Sequence, residues 1–175
     1  MHWPLKGCTP LFPDTQGRYG AIRKFDIHTG VDLYCKAEQE IVAIESGIVI
    51  SIEQFTGEHA DPPTPWWNNT FAVLIKGRSG VMVYGEVIPV VKVGDQINAG
   101  NIIGIISVPV LKKIKTRPTF MLHFELHDHD ITKTSSWDLN RKAPLGLLNP
   151  EPLLISIVDT VKYFDLKSYI NEQRL

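Results

Sequence analysis

Short runs of β-branched and aliphatic residues, broken by glycine, proline, asparagine or serine, fill most of this chain. Such runs are typical of β-strands bounded by turns. The clearest are IVAIESGIVISIE, TFAVLIK, GVMVYGEVI, INAGNIIGIISV and FMLHFEL. The pattern predicts turns at Ser46-Gly47, at residues 77–80 and near residues 98–101. We therefore expect a mainly β fold, a small and mostly antiparallel sheet that curves toward a barrel.

A helical period is found only near the C-terminus. From about residue 152, the segment LLISIVDTVKYFDLKSYINEQ places apolar residues at Ile157, Val161 and Phe164. This is the spacing of an amphipathic helix. We interpret the helix as a short packing element that closes the fold.

A chain of 175 residues suits one domain with a sizeable core. We expect an N-terminal extension (1–24), a β domain (25–154) and a C-terminal helical tail (155–175). One long insertion, FTGEHADPPTPWWNNT at residues 55–70, interrupts the strands, and its prolines exclude regular structure. Loops of this length are usually functional or disordered. Its two tryptophans suit a groove wall and a surface flap equally well.

Composition excludes several classes of function. The net charge of -1 gives no support for nucleic-acid binding. The N-terminus lacks the apolar stretch of a signal peptide, and no apolar run is long enough to span a bilayer. We therefore expect a cytoplasmic protein unless a leader has been removed. Cys8 and Cys35 do not form a CxxC pair, and we expect both thiols to be free.

Two imidazoles and one carboxylate form a candidate metal site: His28, Asp32 and His123, here called the triad. Three such ligands with a fourth position open are typical of catalytic zinc (Zn²⁺). In an extended segment, residues 28 and 32 point to the same side of the backbone. Gly30 between them is expected to leave room for an ion.

The strand FMLHFEL has two different faces. Its period of two places Met121, His123 and Glu125 on one face and the intervening apolar residues on the other, which we predict to be the core face. Glu125 has two interpretations that the sequence supports equally. It orients His123 by a hydrogen bond to the ring nitrogen that does not bind the metal, or it is an exposed carboxylate of the strand. The following segment, HDHD at residues 127–130, is interpreted as a solvated turn, with a role at the rim of the site as the alternative.

Several segments together indicate a family. In order, FDIHTGVDL, IVAIESGIVISI, VYGEVIPVVKVGDQINAGNIIGII, MLHFEL and LLNPEPLL resemble the lysostaphin (LytM-type) zinc endopeptidases, which cut peptidoglycan cross-bridges. The resemblance runs from about Phe25 to about Leu154. It implies zinc binding by the triad, a groove for a peptide or peptidoglycan-like ligand, and the small β fold of that family, the duplicated hybrid motif.

The chain departs from the family at two positions. This chain has Glu86 (in YGEV) and Met121 (in MLHF) where the family has histidines that handle the proton of the attacking water and stabilise the developing charge. A thioether is only a weak acceptor, so Met121 does neither. Glu86 has two open interpretations: a general base that replaces the histidines, or a fourth ligand that closes the site.

Two function classes follow from these residues. The first is a zinc-binding, lysostaphin-like metallopeptidase domain that acts on or recognises a peptide. The second is a non-catalytic, zinc-stabilised module that binds or regulates through a peptide or glycopeptide. An interaction module without metal, and a phosphocarrier domain with a related barrel, are weaker alternatives because neither needs the complete triad.

Overall fold

The computed structural model describes residues 1–8, 13, 15–113, 119–128 and 130–160. The described residues contain a 3₁₀ turn (Thr15–Gly17), a helix α1 over residues 151–160, and eleven strands. The strands are β1 (Asp26–Ile27), β2 (Val31–Tyr34), β3 (Gln39–Val42), β4 (Gly47–Thr56), β5 (Thr70–Gly77), β6 (Gly80–Pro89), β7 (Gln96–Ile97), β8 (Ile102–Ile106), β9 (Met121–His127), β10 (Trp137–Asp138) and β11 (Leu147–Leu148). Within this described part of the chain, no helix has the length and apolar character needed to cross a membrane.

Strand pairing builds one large sheet and one small ribbon. The large sheet has the order β11-β9-β6-β5-β4-β7, with β2 against β9 and β8 joining β3 to β6. The ribbon pairs β1 with β10. Every one of these pairings is antiparallel. The mainly β, antiparallel fold with a short C-terminal helix is therefore confirmed.

The predicted turns separate strands as expected, but only one of them connects two strands that pair with each other. The turn at Arg78-Ser79 connects β5 to β6, which pair along their length. The strands on either side of Ser46 are found as well, but β3 pairs with β8, and β4 pairs with β5 and β7. Likewise β7 and β8 flank residues 98–101 and pair elsewhere. Local turn residues mark where strands end, whereas distant strands decide which backbones share hydrogen bonds.

The core lies on the face of β9 that the alternation predicted. Leu122 and Phe124 have no exposed surface, and Leu126 is 7% exposed. The ring of Phe124 meets that of Tyr84 on β6 edge to face, with centroids 5.4 Å apart. Burial of each such side chain contributes about 1.5–3 kcal/mol. The apolar face thus fixes β9 firmly, and the opposite face of the strand is left to carry polar groups.

Helix α1 begins with a side-chain cap and packs against the core. Asn149 Oδ1 accepts the backbone N–H of Glu151 at 2.9 Å, as an N-cap residue does. Ile157 is 2% exposed and belongs to the main core cluster. The other two predicted apolar positions, Val161 and Phe164, lie outside the described residues.

The N-terminal segment also contributes to the core. Trp3 and Leu5 are buried in the main cluster, and Leu5 forms a β-bridge with Ile41. Cys8 and Cys35 pack against the same cluster and are both free thiols, as expected. The domain boundaries after residues 24 and 154 stay predictions.

Candidate metal and catalytic site

The three triad side chains, far apart in sequence, meet where β2 lies against β9. Asp32 and His123 are directly opposite each other in the strand register, and His28 lies in the turn that leads into β2. His28 Nε2 is 3.1 Å from Asp32 Oδ1 and 3.1 Å from His123 Nδ1, which is itself 3.0 Å from Asp32 Oδ1. All three residues are buried. They form a cluster of donor atoms that could hold a metal ion.

Two arginines contact the atoms of His28 and Asp32 that point away from the triad, Nδ1 of His28 and Oδ2 of Asp32. The backbone oxygen of Arg18 accepts the Nδ1–H of His28 at 2.9 Å, which leaves the lone pair on Nε2 facing the triad. Burial lowers the pKa of His28, so this neutral form is favoured. Asp32 Oδ2 forms an ion pair with Arg23. The sequence pattern marks neither arginine, because both contacts depend on how the N-terminal segment folds over the sheet.

His123 lies between two buried carboxylates. Its Nε2 is 3.0 Å from Glu125 Oε1, on the side of the ring away from the triad. Burial alone would lower the pKa of His123, but hydrogen bonds with Asp32 and Glu125 raise it to about 10. Burial alone would raise the pKa values of both acids; hydrogen bonds with histidines hold that of Glu125 at about 2 and that of Asp32 well below its usual range. The site thus favours a positive charge between Asp32 and Glu125.

Gly30 makes room for a strand, which corrects the expectation that it makes room for an ion. A Cβ atom at this position would clash with the backbone oxygen of Phe124 and would lie 3.0 Å from the ring of His123. The absence of a side chain therefore lets the turn before β2 approach β9 closely. This close approach is what brings His28 to His123.

Glu86 is placed by a β-bulge and lies outside the triad cluster. The register between β5 and β6 shifts between Phe71 and Val73, and Glu86 has φ 66°, a left-handed conformation that a residue other than glycine seldom adopts. Its Oε2 accepts hydrogen bonds from Thr70 Oγ1 (2.8 Å) and Thr56 Oγ1 (3.4 Å). Burial raises the pKa of Glu86 to about 7.

An open groove of about 530 Å³ runs over the triad. Glu86 and Met121 both line it, as does Tyr34, which is directly opposite Met121 in the register of β2 and β9. From the long loop, Trp67 lines the groove, whereas Trp66 does not and is 62% exposed. The loop is thus part of the groove wall, one of the two interpretations open from sequence.

His127, for which a solvated turn was the preferred interpretation from sequence, lies beside the triad's buried partner Glu125. The prediction of a solvated turn is wrong for His127, because His127 is the last residue of β9 and is only 2% exposed. Its Nε2 is 2.9 Å from Glu125 Oε2. The sequence does contain a pattern that predicts this position, since the alternation that places His123 and Glu125 on one face of β9 continues to residue 127.

Known structures share this fold. The chain is similar to CbpA from L. salivarius REN, with a TM-score of 0.53 and 20% identity over 85% of this chain and 90% of that one. It is also similar to the antimicrobial peptidase lysostaphin from Staphylococcus simulans, with a TM-score of 0.51 and 24% identity over 80% of this chain. The match covers 48% of lysostaphin, so this chain spans about half of that protein. At these identities the likeness establishes the fold.

The family assignment comes from the sequence itself. No curated protein matches the chain significantly over its sequence. The family model for peptidase family M23 matches residues 26–135, more than half of the chain and a span that contains all three triad residues. The lysostaphin-type resemblance carried by the HTGVD and MLHFEL segments is confirmed by this match. The chain belongs to peptidase family M23.

Proposed function

We propose that this protein is a zinc-dependent peptidase that cleaves peptides resembling peptidoglycan cross-bridges. One observation carries the proposal: the inner atoms of His28, Asp32 and His123 lie 3.0–3.1 Å apart at the floor of an open groove. Two imidazoles and one carboxylate form a ligand set that leaves a zinc ion one open position, as catalysis requires.

The residues present fit a zinc ion. Zinc–ligand bonds of about 2.0–2.1 Å place tetrahedral ligand atoms roughly 3.3 Å apart, close to the separations within the triad. His28 already presents a lone pair on Nε2, because its other nitrogen donates to Arg18. His123 keeps a carboxylate on its outer nitrogen, as zinc-binding histidines commonly do. A zinc ion in the triad would act as a Lewis acid that polarises the peptide carbonyl.

Glu86 is the proposed general base. It lines the same groove as the triad but is not part of the cluster of donor atoms, which supports a base more than a fourth ligand. A carboxylate with a pKa of about 7 can accept a proton from the attacking water near neutral pH. The hydroxyl groups of Thr70 and Thr56 orient its Oε2 and leave Oε1 as the proposed acceptor of that proton.

Met121 makes the proposed reaction slower than one assisted by two proton-handling groups. Its thioether lines the groove and offers no proton to a developing oxyanion. Loss of one oxyanion donor typically costs about 10²–10³ in rate. The proposed enzyme is therefore slow, with Glu86 as its one acid–base group.

The first experiment combines zinc analysis with a cleavage assay. Purified protein is analysed for zinc and incubated with fluorogenic cross-bridge peptides and with intact peptidoglycan. We expect one equivalent of zinc, and cleavage that a chelator abolishes and zinc restores. His28→Ala should lose both zinc and activity. One equivalent of bound zinc without cleavage of any peptide would identify a zinc-stabilised binding module instead.

Glu86→Gln then tests the role of the base. It should reduce kcat by about 10²-fold or more, within the range that a general base contributes, while zinc content stays unchanged. Glu45→Gln is the matched control, because Glu45 is also a buried carboxylate but accepts its hydrogen bonds from Ser79 in the β5–β6 turn. Unchanged activity in Glu86→Gln would remove Glu86 as the base.

A further inference from the structure

Three polar side chains follow one another along the face of β9 that lies opposite the apolar core. His123, Glu125 and His127 alternate along the strand and are 6%, 1% and 2% exposed. Glu125 joins the two histidines: Oε1 is 3.0 Å from His123 Nε2, and Oε2 is 2.9 Å from His127 Nε2. Both carboxylate oxygens are therefore occupied by imidazoles, which fixes the plane of the carboxylate.

The remaining nitrogen of His127 shows where its proton lies. Nδ1 is buried and has no hydrogen-bond partner among the described residues. A neutral imidazole carries one N–H, on one of its two nitrogens. With the proton on Nδ1, a buried donor would be unsatisfied and Glu125 would lose a hydrogen bond, both of which are costly. With the proton on Nε2, His127 donates to Glu125 and only a weaker acceptor is left unpaired.

We infer that His127 is a positioning residue for the metal centre: it donates its Nε2–H to Glu125, which in turn holds the Nε2–H of His123 and leaves His123 Nδ1 to the metal. This inference rests on the proposed zinc site. It extends that site to His127, two residues after Glu125 on β9. His127 itself is not part of the cluster of donor atoms, and its hydrogen bond goes to Glu125. It acts by keeping Glu125 in the one orientation that serves His123.

The surroundings of Glu125 make His127 the natural anchor. The backbone of His127 is held on both sides, opposite Val81 of β6 and Leu147 of β11. Its backbone is therefore fixed by paired strands on both sides of β9. Glu125 without this anchor would keep His123 and Thr29 as its side-chain partners, and the oxygen that now accepts from His127 would no longer be held by an imidazole.

Substitution of His127 tests the inference through zinc affinity. Zinc dissociation constants are measured by competition with a chromophoric chelator. His127→Phe, which removes the donor, should weaken zinc binding by about 10–100-fold, the usual effect of losing a residue that orients a ligand. His127→Gln, whose amide N–H can still donate to Glu125, should recover much of this loss. His59→Phe, an exposed histidine of the long loop, is the control and should bind zinc like the wild type.

A second measurement needs no variant. Long-range ¹H–¹⁵N spectra of the zinc-loaded protein report which nitrogen of each histidine carries the proton. We expect protons on Nε2 of both His123 and His127. A proton on His127 Nδ1 would overturn the inference, and the result does not depend on whether His127→Phe folds.

The outcomes separate this inference from the proposed function. Equal zinc affinity in folded His127→Phe and the wild type would overturn the positioning role and leave the peptidase proposal standing. Zinc binding that depends on His127, in a protein that cleaves no peptide, would support the positioning role and overturn the peptidase proposal. A wild-type protein that binds no zinc would overturn both.

Discussion

The chemistry proposed for Glu86 depends on four groups around one carboxylate. Burial raises its pKa, the hydroxyl groups of Thr70 and Thr56 lower it, and the charges of His123 and Asp32 also act on it. Of these, His123 lowers the pKa and Asp32 raises it. The net result, a pKa of about 7, keeps a substantial fraction of the carboxylate ionised at neutral pH, where a weak base is most useful.

We predict that kcat/KM rises with pH through about 7 and then levels off, because only ionised Glu86 accepts a proton. Thr70→Val removes a hydrogen bond that lowers this pKa, so the rise should move to higher pH. Thr70→Ser keeps the hydroxyl group and should leave the profile in place. The measurement is kcat/KM from pH 5 to 9 in zinc-loaded protein. A profile that does not move in Thr70→Val would argue against Glu86 as the titrating base.

Among the elements, β9 contributes most to the site and was also the easiest to predict. Its alternation separated the core residues from the polar ones because a strand has only two faces. The turn before β2 was harder. Gly30 was expected to make room for an ion, and only the packed structure shows that the occupant is the backbone of β9. A sequence can indicate that a position needs glycine without showing which neighbour requires it.

Substitution of Gly30 should therefore damage the fold and the metal site together. Gly30→Ala places a methyl group against the Phe124 backbone oxygen, and overpacking of this kind typically costs about 1–3 kcal/mol. We expect a lower melting temperature and weaker zinc binding, since His28 and His123 are forced apart. Thermal unfolding and chelator competition measure the two effects.

Gly94→Ala is the control for this substitution. Gly94 also lies in a turn, but a Cβ atom there meets no atom within 4 Å, so the cost is limited to the strain of its positive φ. We expect some loss of stability in this variant and unchanged zinc affinity. Full zinc affinity in Gly30→Ala would show that the close approach of β2 to β9 is not needed for the triad.

For the whole molecule, the sequence predicted the strands and the members of the triad better than the contacts between them. The triad could be named because its residue types and local segments are distinctive. The bulge at Glu86 could not be predicted, because its left-handed backbone is imposed by the pairing of β5 with β6. The inward position of Trp3 was missed for a similar reason: no local pattern shows that an N-terminal segment packs against distant strands.

The groove itself is a property of the whole chain, since segments distant in sequence meet around the triad. The long loop is tied to the segment after β8: Asn68 N donates to Val110 O at 2.8 Å, and Asn68 Nδ2 donates to Pro109 O at 2.7 Å. Trp67 forms a β-bridge with Leu111 beside them. These contacts hold Trp67 in the groove wall and give the two adjacent tryptophans different surroundings.

The two tryptophans therefore make a matched test of the groove as the peptide site. Trp67→Ala removes a large apolar surface from the wall, and loss of a buried aromatic contact of about 1.5–3 kcal/mol corresponds to a rise in KM of about 10–100-fold. Trp66→Ala, at the neighbouring exposed position outside the groove, should leave KM within about twofold of the wild type, since surface substitutions change energies by less than about 0.5 kcal/mol. Zinc content should be unchanged in both variants. Steady-state kinetics on a cross-bridge peptide measure the difference, and titration of the same peptide replaces them if turnover is too slow. Equal effects of the two substitutions would place the peptide outside this groove.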